Sequence, residues 1–202
     1  MTANSQSAPK LGKLGKFWRE FAAFTPSGAV RLANLSRHFE NARGIAKQGA
    51  GPWDRLFHAL AEQPGWGPKT SALFVKGTIE IHRGPRYLHF LRDADAAAAP
   101  LTNDTVYLPV DSVITCIFKN LGLEEADFVT VNKALSKVYS AEEMLVWDDL
   151  WYWGFFTQVS DGSNRTLNWN SDKFWCQPSA QRAQEAEVQR LGEEFIAICR
   201  GE

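Results

Sequence analysis

A lysine beside a glycine turn and an aspartate opening a later apolar run are the residues of this chain whose types and spacing could do chemistry. The stretch Gln63-Pro64-Gly65-Trp66-Gly67-Pro68-Lys69-Thr70 follows an apolar run that ends at Leu60-Ala61. Pro-Gly-x-Gly makes a tight turn, and Pro68 suits the first position of a helix continuing through Ser71-Ala72-Leu73-Phe74-Val75. Gly65 and Gly67 permit positive φ and close backbone approach, so the amides at the new helix start can face an anion such as a DNA phosphate. Lys69 falls in the first turn, where the positive end of the helix disfavours a charged ammonium and favours a nucleophilic amine. Asp111 follows 42 positions later in Pro109-Val110-Asp111, at the start of another helical pattern. A carboxylate there could stabilise developing positive charge or carry protons. Both residues also have a plainer reading: Lys69 as a surface lysine meeting phosphate or solvent, Asp111 as a helix cap.

The run Pro64 to Thr70, with Ser71 and Ala72 after it, resembles the hairpin of the helix–hairpin–helix DNA glycosylases, which reads roughly Pro-Gly-(apolar)-Gly-x-Lys-Thr-Ala. Pro109-Val110-Asp111-Ser112-Val113-Ile114 is similar to that family's second signature, and its Pro-Val-Asp is nearest the 8-oxoguanine-type branch. The resemblance implies an all-α fold of two helical lobes with an active-site cleft between them, acting on a damaged or modified base extruded from duplex DNA. It implies Lys69 as the nucleophile at the sugar C1′, leaving a Schiff base that permits strand cleavage as an AP lyase, and Asp111 as its support. Gly65, Trp66, Gly67, Pro68 and Thr70 would contact the DNA, with Arg55 and Lys76 as neighbouring cations. No metal and no cofactor is required. Two further readings stay open: a non-catalytic helix–hairpin–helix DNA-binding protein, and a structural all-α protein in which Pro-Gly-Trp-Gly-Pro is only an interhelix turn.

The elements that must position these residues come from a chain of 202 residues, 45% hydrophobic and 22% charged, enough for one sizeable core or two small lobes. No apolar run is long enough to span a bilayer, and Met1 to Pro9 is polar with no signal core after it, so a monomeric cytoplasmic protein without a membrane partner is expected. Cys116, Cys176 and Cys199 are too widely spaced for a zinc site and odd in number for a disulfide framework. The net charge of −1 conceals a division: residues 1–92 hold 14 Lys and Arg against 5 Asp and Glu, and residues 93–202 hold 8 against 18. A basic half carrying the hairpin suits phosphate binding; mutual attraction of two lobes explains the same split.

Residues 1–15 read as a mobile basic arm with Lys10 and Lys13, and 16–202 as a single compact domain. Phe17, Trp18, Phe21 and Phe24 are spaced as a short anchoring helix, and Thr25-Pro26 opens a helix through Leu32, Leu35 and Phe39 that fades near Lys47. The hairpin occupies 51–82, with Trp53, Leu56, Phe57 and Leu60 as the buried stripe of its first helix; residues 78–90 also alternate as a short β-hairpin would. An inserted loop is expected at about 92–107 and a helical lobe over 108–200. That lobe reads as helices over 109–121 and 124–139, a capping box Ser140-x-x-Glu143 opening a nearly all-apolar helix over 141–157, a loop at 160–164, and a last helix from Pro178 with Val188, Leu191, Phe195 and Ile198 inward.

Overall fold

The computed structural model describes residues 11–22, 30–44, 49–91, 101–147, 149–161, 164–176 and 184–202, with backbone alone at 22 and 174–176. It is predominantly helical, and the chain divides into two compact units, Met1–Tyr107 and Leu108–Glu202, each described by itself below.

In the first unit α1 (Leu11–Ala22), α2 (Leu32–Arg43), α3 (Pro52–Ala61) and α4 (Pro68–Arg83) precede a 3-10 turn at Arg86–Leu88. Residues 11–15, expected in a mobile arm, are helical, because α1 has an apolar face to bury: Phe17 stacks on Phe21 and on Phe39 of α2, each at 5.8 Å between ring centres. Phe24 and the Thr25-Pro26 start lie outside the described residues, as do residues 1–10. α2 begins at Leu32 and ends on Gly44, whose φ of +63° forms a left-handed cap. The stripe Trp53, Leu56, Phe57 and Leu60 is buried as its spacing predicts. α4 runs unbroken through Gly77, so residues 78–83 are helix and not one arm of a β-hairpin.

The last part of the expected insertion is a strut. Asp104 accepts hydrogen bonds from the amides of Trp53 (Oδ2, 2.9 Å) and Asp54 (Oδ1, 2.9 Å). These are first-turn donors of α3, a helix whose own N-cap, Gly51, has no side chain to offer. Gly51 has to be glycine: a Cβ there would stand 2.4 Å from Asp104 Cγ. Buried Asp54 accepts from Ala50 N (2.8 Å) and from Tyr107 Oη (2.9 Å). Burial first, and then the charge of Asp54, push the Tyr107 phenol well above its ordinary range. Residues 92–100 of the insertion lie outside the described residues.

The second unit holds α5 (Ser112–Asn120), α6 (Phe128–Leu135), α7 (Glu143–Val146), α8 (Asp149–Phe156), strands β1 (Gln158–Asp161) and β2 (Asn164–Leu167), a 3-10 turn at Ser171–Cys176, and α9 (Glu185–Arg200). Its chain entry is clamped by buried Asn132, which accepts from Leu108 N (2.7 Å) and donates to Leu108 O (3.0 Å). α8 approaches α5 through Gly154, where a Cβ would come within 2.3 Å of Val113 Cγ1. The capping box forms, with Glu143 accepting from Ser140 N (2.8 Å), but the helix expected over 141–157 stops at Val146 and restarts at Asp149. Trp151 and Tyr152 of that aromatic stretch are exposed, while Gly154 and Phe156 are buried.

Two more expectations are corrected. Of the loop expected at 160–164, Ser160 and Asp161 end β1 and Asn164 begins β2, the two strands pairing antiparallel with Gln158 opposite Leu167 and Asp161 opposite Asn164, while 162 and 163 lie outside the described residues. On α9 the buried positions are Gly192, Ile196 and Cys199; of the expected stripe, Val188, Leu191 and Phe195 are half-buried, with Phe195 stacked on Trp153 at 6.1 Å, and Ile198 is 62% exposed, while the expected start at Pro178 lies outside the described residues. Among the described residues no helix is long and apolar enough to cross a membrane.

Candidate functional site

The turn between α3 and α4 closes through Gln63 N to Leu60 O (2.8 Å) and Trp66 N to Gln63 O (3.1 Å). Buried Gln63 fixes it to the rest of the unit, donating to Phe39 O (3.0 Å) and Ala59 O (2.7 Å) and accepting from Arg43 Nε (3.2 Å). Gly65 sits at φ +83°, a region that disfavours any side chain. Gly67 is extended at the N-cap of α4, with nothing within 4 Å of where a Cβ would stand. Pro68 follows at the first helical position, exposed and without an N–H; Lys69 and Thr70 come next, half-buried. Ser71 N bonds back to Gly67 O (2.9 Å). The open backbone at Gly67 and the first-turn amides of a 16-residue helix make an anion-favouring end.

Trp66 and Gly65 pack against neighbouring helices. The indole of Trp66 packs on Phe17 of α1 (5.2 Å) and edge-on against Phe74 of α4 (5.5 Å), and its Nε1 is buried without a partner, as is Ser71 Oγ. Leu14 of α1 lies against Gly65, where a Cβ would meet its Cδ2 at 2.9 Å. These ring contacts make Trp66 the anchor of the turn, and from Gly65 to Thr70 the exposed residue is Pro68. Of the two neighbouring cations, Arg55 is held by both carboxylate oxygens of buried Glu40 at 2.5 Å, which keeps its guanidinium charged. Lys76 is 3% exposed.

Asp111, in the second unit, is the N-cap of α5: its Oδ1 accepts from Val113 N (2.9 Å) and Ile114 N (3.2 Å). Next to it Ser112 Oγ accepts from Arg165 Nε (2.9 Å), which brings a cation of β2 to the same helix start. Gln158 donates through Nε2 to Val113 O (2.9 Å), and its Oε1 is buried with no partner. Sequence reasoning missed Arg165 and Gln158. For Gln158 the available hint is a polar residue closing the aromatic run Trp151 to Phe156; for Arg165 there is none.

Compared with protein families, curated proteins and solved structures, the chain matches none. Its function therefore rests on the residues themselves. Lys69 belongs to one unit and Asp111 to the other, and what each is equipped to do follows from its own helix start.

Proposed function

We propose that the chain is a DNA glycosylase that grips duplex DNA through the helix–hairpin–helix and excises a damaged or modified base with Lys69 as nucleophile and Asp111 as support. The observation that carries the reading is the hairpin: a left-handed glycine, an open extended glycine, a proline without an N–H, then a lysine in the first turn of a long helix. In the proposed reaction Lys69 Nζ bonds to C1′ of an extruded nucleotide while the glycosidic electron pair leaves with the base, which takes up a proton. The carboxylate of Asp111 offsets the positive charge that builds on the sugar. Loss of a proton from the nitrogen and ring opening give a Schiff base, from which strand cleavage can follow.

The test is borohydride trapping on a panel of duplexes carrying different altered bases, scored together with base release and strand nicking. Wild type is expected to give a covalent adduct with at least one duplex, and Lys69→Gln none, while Lys69→Gln still binds duplex within a few fold because one contact is a small part of an interface. An adduct that persists in Lys69→Gln would falsify the assignment.

A second reading keeps the grip and drops the chemistry. It is favoured by Asp111, whose Oδ1 already serves two backbone amides as an ordinary cap does. It expects salt-dependent duplex binding with no base released from any member of the panel.

A further inference from the structure

Arg43 joins three elements of the first unit at the hairpin, and it has no part in the Lys69 chemistry. It is the last residue of α2, and Gly44 ends the helix behind it in a left-handed cap, which fixes its backbone. Its guanidinium works through two different nitrogens: Nη2 donates to Glu20 Oε2 of α1, and Nε donates to Gln63 Oε1 in the turn at 3.2 Å. The Arg43 side chain is 22% exposed and that of Glu20 35%, with Lys16 Nζ standing 3.9 Å from the other oxygen of Glu20. Gln63 is 4% exposed; it donates through Nε2 to both Phe39 O and Ala59 O and accepts the Arg43 N–H through Oε1. α1 also meets the turn through apolar contacts, Phe17 on Trp66 at 5.2 Å and Leu14 against Gly65. Apolar contact has no preferred direction, whereas the hydrogen bonds of a planar guanidinium fix an angle.

We propose that Arg43 is a positioning residue: tied to α1 through Glu20, it holds Gln63, and with it the turn at 64–67, in the orientation that duplex DNA meets. The proposal rests on the reading that the hairpin grips duplex DNA, and it concerns binding rather than the bond-breaking step. Without the guanidinium fork the turn keeps its apolar anchor but samples several orientations. Duplex then selects the competent fraction, and the apparent affinity falls in proportion to that fraction. Once duplex is bound, the DNA itself holds the turn, so the reaction within the complex proceeds as in wild type. Lysine does not replace arginine here, because an ammonium is one point of charge whereas Glu20 and Gln63 are reached through separate nitrogens. A lysine would follow the charge to Glu20 and leave Gln63 Oε1 without its donor.

The experiment is fluorescence anisotropy with the full chain and a labelled, fully paired duplex at about 50 mM salt, comparing wild type with Arg43→Lys and Glu20→Ala. Arg43→Lys conserves charge and is expected to weaken binding about tenfold, the penalty of a binding-competent fraction of about one in ten, with dichroism and melting close to wild type. A direct phosphate contact at Arg43 predicts near-wild-type affinity instead, since lysine also meets a phosphate as a point charge. Glu20→Ala removes a negative charge, which by electrostatics alone strengthens the hold on a polyanion. It is nevertheless expected to weaken binding several fold, because Arg43 loses its tie to α1. Borohydride trapping at saturating duplex should proceed at the wild-type rate in Arg43→Lys. Wild-type affinity in Arg43→Lys, unchanged or tighter binding by Glu20→Ala, a loss of binding matched by loss of folded protein, slower trapping at saturation, or no duplex binding by wild type each overturns the proposal. Duplex binding that weakens in both variants while no member of the base panel gives an adduct upholds Arg43 and overturns the nucleophile assignment alone, so the two failures remain separate results.

Discussion

The carboxylate of Asp111 holds two amides of α5 through one oxygen, so any test of its chemistry has to leave the cap in place. A carboxamide does that, because asparagine and aspartate are about equally good N-caps. Asp111→Asn is expected to melt with wild type while cutting base release about 100-fold or more, the scale of losing a positioned charge. Asp111→Ala should in addition lower stability by about 1 kcal/mol, read as a lower urea midpoint. Equal turnover of the asparagine variant and wild type would leave Asp111 as a cap alone. Arg55 calls for a different expectation: its partner Glu40 has a side chain only 6% exposed, so Arg55→Glu puts a second carboxylate against a buried one. Because Arg55 itself keeps a fifth of its side-chain exposure, the cost should fall below that of a fully buried pair, about 2–3 kcal/mol. It should appear in denaturation before it appears in DNA binding. Cys199 supplies a titration: burial, and then the nearby Cys116, push its thiol up to about 11. A raised folded value means that the neutral thiol is favoured by the fold, so stability present below the unfolded value, about 8.5, is lost as pH rises toward 11. Cys199→Ala should flatten that alkaline slope in pH-dependent urea melts.

Between elements, the tightest approach is that of α8 to α5 at Gly154. Gly154→Ala would drive a methyl into Val113 Cγ1, a β-branched atom with little freedom to move, and also meet Ile117 Cδ1 at 3.1 Å. A cost of about 1–3 kcal/mol is expected, measured as a fall in melting temperature; no change would mean that the two helices separate more readily than their packing suggests. The contrast between what the sequence disclosed and what it hid is clearest at this scale. α3 and α4 were legible because Trp53, Leu56, Phe57 and Leu60 repeat at helical spacing and Pro52 and Pro68 mark both starts. On α9 the close approach of Trp169 at the small Gly192 is a packing contact that apolar periodicity does not announce, and Ile198 is the one residue of the expected stripe left exposed. The strands Gln158–Asp161 and Asn164–Leu167 are short and polar, so their alternation was too weak to separate from a turn. Burial of Lys76 ran against the strongest habit of its residue type, and nothing in its neighbours in sequence announced it. The hairpin half of the candidate site was legible from glycines and prolines, whereas Arg165 and Gln158 reach the α5 helix start through tertiary packing that local patterns do not encode.

Taken over the whole molecule, the charge division follows the two units: Met1–Tyr107 carries 14 Lys and Arg against 8 Asp and Glu, and Leu108–Glu202 carries 8 against 15. A polyanion is accordingly expected to be held by the first unit. Its affinity should fall with salt at a slope of about −4.5 in log–log form if about five phosphates are neutralised, measured on a fully paired duplex between low and moderate salt. A flat line would sink the electrostatic account of binding. One feature of the same unit also bears on how the protein is made. The carboxylate that completes the start of α3 belongs to Asp104, fifty residues downstream of the amides it accepts from. A ribosome adding about 5–20 residues each second releases α3 roughly 2.5–10 s before its cap exists. The hairpin therefore emerges as a nascent chain with its first helix incomplete, and a synthesis pause placed before residue 104 would hold it in that condition, exposed to proteases and chaperones.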